Sequence, residues 1–115
     1  MSRRVVVLDY GSGNIRSAQR ALEAAGGEVD VSDSAADAVE SDGRVVPGVG
    51  AFAACMRLLT SQGFDQVIRA RAAAGRLTLG ICVGHQVLFS GGDEHGETVA
   101  GLGIWPERVT RIDAR

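Results

Sequence analysis

Short apolar runs that end in glycine-bearing turns recur along this sequence and constrain its fold more than any other feature. Unbroken β-branched runs are typical of strands buried on both faces of a parallel sheet. Between the runs, apolar residues recur at helical spacing, as at positions 15, 18, 22 and 25. Three runs lead into glycine turns: residues 5–8 into 10–14, 44–46 into 47–50, and 76–81 into 80–84. This alternation predicts an α/β domain.

The pattern predicts a three-layer αβα domain around a mostly parallel sheet. Predicted strands cover 5–8, 29–31, 44–46 and 76–81, and predicted helices cover 15–25, 32–39, 51–60 and 64–74. Another helix is expected directly after Cys82, and the tail 102–112 is expected to add a strand or hairpin. In such sheets, sites lie beyond the carboxyl ends of the strands, where the three glycine turns converge.

Composition limits the classes of function. The chain has 115 residues, enough for one domain, and its net charge of −2 is spread along the sequence. We therefore expect no nucleic-acid partner and no membrane partner. No apolar run approaches about 18 residues and no signal-peptide pattern is present, so the chain is expected to be soluble and cytoplasmic. The two cysteines are expected to be free thiols, and no metal or cofactor is indicated.

Cys82 is the strongest candidate for chemistry. It lies in the form Gly80-x-Cys82-x-Gly84, the cysteine analogue of a nucleophile elbow. An elbow forces its central residue into a strained backbone conformation. Glycines two positions before and after it leave room for the neighbouring segments of the chain. The following N–H groups, notably that of Val83, could stabilise an oxyanion. The alternative is a buried structural cysteine beside packing glycines.

Cys55 and the turn 47–50 each allow a structural interpretation as well as a functional one. Cys55 lies mid-helix among apolar residues without flanking glycines, which indicates core packing. The turn 47–50 ends a neighbouring strand, and its glycines would let a peptide N–H face a substrate carbonyl. Taken alone, that turn is equally consistent with an ordinary helix start.

These residues carry a resemblance to a known family. "GICVGHQ" resembles the nucleophile motif of the class I glutamine amidotransferases. An ordered set narrows the similarity to the glutaminase subunits of imidazole glycerol phosphate synthase, in histidine biosynthesis: "VVVLDYGSGNIRSAQRALEAAG", "VVPGVGAF", "GICVG" with "QVLF", and "GLGIWPERV". The resemblance implies glutamine as substrate, ammonia as product and a barrel-shaped cyclase subunit as partner. It also implies that residues 1–115 form the N-terminal part of a single, C-terminally incomplete amidotransferase domain.

The resemblance also implies site residues. Cys82 would be the nucleophile, with an oxyanion hole from Val83, Val49 and Gly50. Substrate contacts would come from Gly48, Gln86 and Glu94, the last in an acidic loop. Asn14 would lie at the interface with the synthase partner, although asparagine in a glycine turn needs no role beyond backbone geometry.

Two departures from the family pattern leave alternatives open. His85 stands where methionine is expected, and histidine there is usual in other class I amidotransferases, of the anthranilate or carbamoyl phosphate type. The family's His-x-Glu pair lies further downstream than residue 115. His85 is expected to point along its helix and not over the thiol. His95 and Glu97 form a "His-Gly-Glu" that is too close to the elbow to match. A non-catalytic α/β interaction module is the rival from another class.

Overall fold

The computed structural model describes residues 4–94 and 96–112. Its elements follow in this order along the chain: β1 Arg4–Leu8, α1 Ile15–Ala24, β2 Glu28–Ser32, α2 Ala35–Glu40, β3 Gly43–Gly48, α3 Phe52–Ser61, α4 Phe64–Ala73, β4 Leu77–Cys82, α5 Val83–Gln86, β5 Phe89–Glu94, β6 Glu97–Ala100 and β7 Trp105–Val109. No helix of this described part is long and apolar enough to cross a membrane.

The main sheet has four parallel strands in the order β2-β1-β3-β4. Two clusters of buried side chains cover its opposite faces. Val7 and Val45 pack with Ala18 of α1 on one face, and Val6 and Val46 pack with α2, α3 and α4 on the other. The predicted three-layer αβα arrangement is therefore confirmed, and the alternating valines of β1 and β3 pack on both faces of the sheet.

A second sheet follows the elbow, and the sequence predicted only part of it. Its order is β6-β5-β7, with β5 antiparallel to β6 and parallel to β7. The strand expected in the tail is confirmed as β7. The acidic loop expected around Glu94 was wrong, because this segment pairs as β5 and β6. Gly92 and Gly101 lie where a Cβ atom would come within 2.9–3.0 Å of the Phe52 ring, so this sheet packs tightly on α3.

Two helix predictions needed correction at their bounds. The helix expected from residue 32 begins at Ala35, because Ser32 ends β2 and the Ser34 hydroxyl caps the helix by accepting from the N–H of Asp37. The helix expected after Cys82 is a single turn, Val83–Gln86, after which the chain turns into β5. The helices 52–61 and 64–73 match their predicted positions within a residue or two.

Strand β4 has an apolar exposed face. Among the described strands it pairs only with β3, and its register places Leu77, Leu79 and Ile81 on the face that α1 covers elsewhere in the sheet. These three side chains remain 38–60% exposed. An apolar, unpaired edge strand is a site at which another strand or apolar surface can add.

We therefore predict that the 115-residue chain self-associates through β4. Leu79→Lys should place a charge in the exposed face and raise the concentration at which association begins by roughly tenfold or more. Val39→Lys is the matched control, because Val39 is also exposed (42%) but lies on α2. Sedimentation velocity over a concentration series measures the effect. A wild-type chain that stays monomeric throughout would contradict the prediction.

Candidate active site at the carboxyl ends of the strands

Cys82 occupies a strained elbow between β4 and α5. Its backbone angles are φ 58° and ψ −124°, and no other non-glycine residue of the described chain has a positive φ. This region of backbone space is sparsely populated by L-residues and costs of order 1–3 kcal/mol. The side chain is exposed and the thiol is free. The elbow geometry that the glycine spacing predicted is therefore present.

The flanking glycines are required by close backbone contacts. A Cβ atom on Gly80 would lie 2.5 Å from Cα of His85, and one on Gly84 would collide with the backbone of Val46 and Pro47. Real Cβ atoms essentially never approach other atoms so closely. The short helix α5 thus lies directly against the backbone of β3, and the elbow cannot form with larger residues at these positions.

The turn 47–50 lies beside the elbow. Gly48 pairs with Cys82 in the parallel register, and a Cβ atom on Gly48 would lie 2.6 Å from the backbone nitrogen of Gly84. Val49 is 54% exposed, and Gly50 adopts φ +87° before α3 begins. A small cleft of about 270 Å³ joins Cys82, Gly48, Val49 and Asn14. The structure therefore brings together four of the residues singled out from the sequence.

The N–H of Val49 is already engaged. It donates to the hydroxyl oxygen of Ser12 at 3.0 Å, and that hydroxyl also lies 3.0 Å from the carbonyl oxygen of Val49. The Tyr10 hydroxyl donates to the carbonyl oxygen of Pro47. Burial raises the pKa of Tyr10, and the neighbouring Cys55 raises it further, so the phenol stays a neutral donor. Sequence reasoning missed Ser12 and Tyr10.

Val83 begins α5 directly after the nucleophile candidate. It is buried, and its N–H belongs to the first turn of the helix, where backbone donors have no partner within the helix. This is the position expected for an oxyanion donor in an elbow.

Gln86 and Glu94 line a second and larger cleft of about 700 Å³ between α5 and the second sheet. Cys82 does not line this cleft. Asp93 lies in it as well, and hydrogen bonds from Arg108 first and Thr98 second lower the pKa of its carboxyl. Of the three substrate contacts implied by the resemblance, Gly48 shares the small cleft with the thiol, whereas Gln86 and Glu94 lie in the larger one.

Glu94 has a structural contact that the sequence did not reveal. One of its carboxylate oxygens accepts a hydrogen bond from the N–H of Phe52, the first residue of α3, at 3.2 Å. Ala51, the residue that precedes this helix, has no side chain that can cap it. A carboxylate at a helix N-terminus satisfies a free N–H and complements the helix dipole. Glu94 thus links the second sheet to the helix that follows the turn 47–50.

Within residues 4–94 and 96–112, no imidazole makes a hydrogen bond to the Cys82 thiol. The His85 ring is 5.4 Å from the Phe89 ring at 88° and 5.7 Å from the Trp105 ring at 57°, centroid to centroid. His85 therefore belongs to an aromatic cluster on the surface. His95 lies outside the described residues. Glu97 is in β6, opposite Glu94.

Asn14 has a clear local role. It is the N-cap of α1, and its side-chain oxygen accepts from the N–H of Ser17 at 3.2 Å. Gly13 before it has φ +99°, and a Cβ atom there would lie 2.5 Å from Cβ of Pro47. The first glycine turn is therefore packed onto the turn 47–50.

Comparison with known proteins identifies relatives over nearly the whole chain. Residues 6–105 match the family model described as glutamine amidotransferase class-I. The chain is 51% identical to imidazole glycerol phosphate synthase subunit HisH of Corynebacterium diphtheriae over 98% of its length, covering 54% of that relative. It is 56% identical to the subunit of the same name from Mycolicibacterium paratuberculosis, covering 98% of this chain and 55% of the relative. The chain thus spans about half the length of these curated relatives.

A solved structure shares the architecture. A crystal structure of a glutamine amidotransferase superposes with a TM-score of 0.77 at 26% identity, over 93% of this chain and 56% of that one. The parallel-sheet architecture is thus shared with a protein of that class.

We predict that Gly84→Ala destabilises the fold. The new methyl group meets the backbone of β3, which cannot move aside as a flexible side chain could, so the free energy of unfolding should fall by about 1–3 kcal/mol or more. Gly43→Ala is the control, because its Cβ atom would meet Leu77 at an ordinary 3.6 Å. That variant should change stability by less than about 1 kcal/mol. Urea unfolding measures both, and equal losses would argue against the close contact.

We also predict that the two thiols differ sharply in reactivity. Cys82 is exposed at the elbow, whereas Cys55 is fully buried and requires local opening before a reagent can reach it. Iodoacetamide near neutral pH should modify Cys82 faster by on the order of tenfold or more. Peptide mapping by mass spectrometry measures the two rates, with Cys82→Ser as the control. Equal rates, or faster labelling of Cys55, would contradict the elbow.

Proposed function

This chain belongs to the class-I glutamine amidotransferase family, and we propose that it provides the nucleophile half of a glutaminase subunit of imidazole glycerol phosphate synthase. The observation that carries the proposal is the Cys82 elbow, with its positive φ and its register beside Gly48. The similarity to HisH subunits supports imidazole glycerol phosphate synthase over the anthranilate and carbamoyl phosphate types of amidotransferase.

In the proposed reaction the Cys82 thiolate adds to the amide carbon of glutamine. The carbonyl electrons move to oxygen, and the resulting oxyanion is stabilised by backbone N–H groups, from Val83 and from the turn 48–50. The carbon–nitrogen bond then breaks, and ammonia leaves with a proton from a general acid. Water hydrolyses the thioester to glutamate and restores the thiol.

The proton transfers need a base that the described residues do not place at the thiol. The His85 ring is held against Phe89 and Trp105. The His-x-Glu pair implied by the family resemblance lies further downstream than residue 115. Loss of a single member of a catalytic triad typically lowers the rate by several orders of magnitude. We therefore propose that glutamine turnover requires residues beyond these 115.

Glutamine itself would bridge the two clefts. Its amide lies at Cys82 in the proposed complex, and its amino and carboxylate groups extend toward Gln86 and Glu94. The Glu94 carboxylate would then contact the substrate in addition to, or in place of, the N–H of Phe52. Ammonia would pass to a barrel-shaped cyclase subunit, with Asn14 and its turn at the interface. The small cleft that Asn14 shares with Cys82 supports a short path between the thiol and that surface.

A glutamine-like chloroketone tests the substrate assignment without a base. In this reaction the thiolate sulfur forms a bond to carbon and chloride leaves, so no proton has to be delivered to a leaving amine. We predict that the reagent alkylates Cys82 and that free glutamine slows the labelling, whereas asparagine does so much less. Cys82→Ser should abolish the adduct. Labelling that glutamine does not slow would contradict the assignment.

Steady-state hydrolysis of glutamine tests whether turnover needs a base from outside these 115 residues. The 115-residue chain alone should turn over glutamine far more slowly than the roughly 1 per second of an ordinary enzyme. A rate at or above that value would show that the base lies within the chain, and His95 would then be the first residue to replace. Gln86→Ala should weaken the protection by glutamine without changing the labelling by iodoacetamide, because Gln86 is proposed to contact substrate only.

A further inference from the structure

One corner of the fold holds three buried polar atoms that have no hydrogen-bond partner. They are Nε of Arg44, Nε of Arg71 and the hydroxyl oxygen of Thr78, and no group within residues 4–94 and 96–112 bonds to them. Buried polar atoms are almost always bonded, because an unpaired one costs free energy on folding. Three such atoms in one place therefore indicate a position where an acceptor can bind.

The topology brings these atoms together from three elements. Arg44 in β3 and Thr78 in β4 are partners in the parallel register, so their side chains lie side by side on one face of the sheet. Val46, two residues after Arg44, packs with α4 on that same face. Arg71 is in the last turn of α4, and its carbonyl oxygen accepts from the N–H of Arg76 at 2.9 Å as the chain turns into β4. We call this place the arginine corner, formed by Arg44, Arg71 and Thr78.

The arginine corner carries an excess of positive charge. Arg44 is 1% exposed and donates to the carbonyl oxygens of Ala38 and Leu77, which satisfy donors without neutralising the guanidinium. Burial first, and then the charges of Arg71 and Arg76, lower the pKa of Arg44. In the part of the chain that the structure describes, no carboxylate forms an ion pair with any of these three arginines. A buried charge is costly unless it is paired, so an anion is the acceptor that this corner favours.

We propose that the arginine corner binds a tetrahedral oxyanion such as phosphate or sulfate. Two guanidinium Nε–H groups and a hydroxyl can donate to different oxygens of one such anion, and arginine is well suited to phosphate because of its planar fork of donors. Arg71 is half-buried and Arg76 is exposed, so solvent reaches the corner from the end of α4. The enclosed positions of the Arg44 and Thr78 atoms restrict the ligand to a small group.

This second site is separate from the thiol. Thr78 precedes Cys82 by four residues in β4, which is about 13 Å along an extended strand. The arginine corner therefore lies near the amino ends of β3 and β4, whereas the elbow lies at their carboxyl ends. An anion bound there stabilises the folded state by mass action and does not contact a substrate at Cys82. The proposal does not depend on the glutaminase chemistry.

Thermal unfolding of the 115-residue chain in inorganic phosphate tests the proposal. A ligand that only the folded state binds raises the unfolding midpoint. Phosphate at about 10 mM should raise that midpoint by roughly 3 °C or more, relative to sodium chloride of equal ionic strength. Sulfate should act in the same way, because it has the same shape and also accepts several hydrogen bonds. Isothermal titration calorimetry then gives the Kd of phosphate.

Three variants assign the effect to the arginine corner. Arg44→Met removes the central guanidinium and should abolish the shift in midpoint. Thr78→Val keeps the shape of the side chain and removes only the hydroxyl, so the Kd of phosphate should rise by roughly tenfold. Arg20→Met is the matched control, because Arg20 is exposed on α1, which covers the opposite face of the sheet. Its shift should equal that of the wild type. Thr78→Val keeps the test decisive if Arg44→Met does not fold.

Glycerol phosphate distinguishes two sources of the oxyanion. Equal shifts with phosphate and glycerol phosphate would assign the phosphoryl group of an ester, and a shift with phosphate alone would assign the free anion.

Equal midpoints in phosphate and sodium chloride would overturn the proposal, because general screening among the arginines then accounts for any stabilisation. A shift that both Arg44→Met and Thr78→Val retain in full would overturn it as well. Alkylation of Cys82 by the glutamine-like chloroketone should be the same in all three variants, so a failure of the glutaminase proposal would be seen separately.

Discussion

The site depends on how closely two backbone segments approach each other. The end of β3 and the start of α5 are near enough that a Cβ atom on Gly48 would lie 2.6 Å from the nitrogen of Gly84. Glycine at positions 48 and 84 is what allows the end of β3 and the start of α5 to lie in direct backbone contact. This contact places the thiol beside the candidate oxyanion donors, and the Cys82 side chain remains exposed there.

The first glycine turn adds a second constraint on the same strand end. Tyr10 and Ser12, two residues apart, reach Pro47 and Val49, which are also two residues apart. The side chains thereby extend the pairing of β1 and β3 beyond the last backbone ladder bond. Tyr10 and Ser12 are almost fully buried, so these hydrogen bonds are made in a low dielectric. Loss of either hydrogen-bond partner there would lower the free energy of unfolding substantially. The turn is consequently part of the site and not only a connection to α1.

The sequence was sufficient to predict the features that depend on local pattern. Buried parallel strands, amphipathic helices and the elbow each leave a signal within about ten residues, and these were found. The second sheet was mostly missed, because Gly91, Gly92 and the acidic residues after them have the composition of a loop. Its strands are fixed instead by the Phe52 ring and by pairing with β7, some fifteen residues away. Such contacts between distant residues leave no local pattern.

The contacts of Ser12 and Arg44 were hidden for the same reason. Ser12 meets Val49 across 37 residues of sequence, and a serine between two glycines suggests only a turn. Arg44 is 1% exposed and donates to the carbonyl oxygens of Ala38 and Leu77, at 3.0 and 2.8 Å. Burial lowers the pKa of its guanidinium, and the nearby Arg71 lowers it further. In the sequence, an arginine near the start of a strand does not indicate that its guanidinium is buried and bonded to carbonyl oxygens.

The two cysteines show how backbone position decides what one side chain can do. Both are free thiols in the same domain, and both lie within reach of the turn 47–50. Cys55 is on a regular helix with its sulfur enclosed, so its thiol can only exchange hydrogen bonds with Ser12 and Val49. Cys82 is held at the strained φ of 58° between Gly80 and Gly84, and its side chain is exposed. The difference in backbone position therefore has a chemical consequence, because it leaves one thiol exposed to solvent and encloses the other among hydrogen-bond partners.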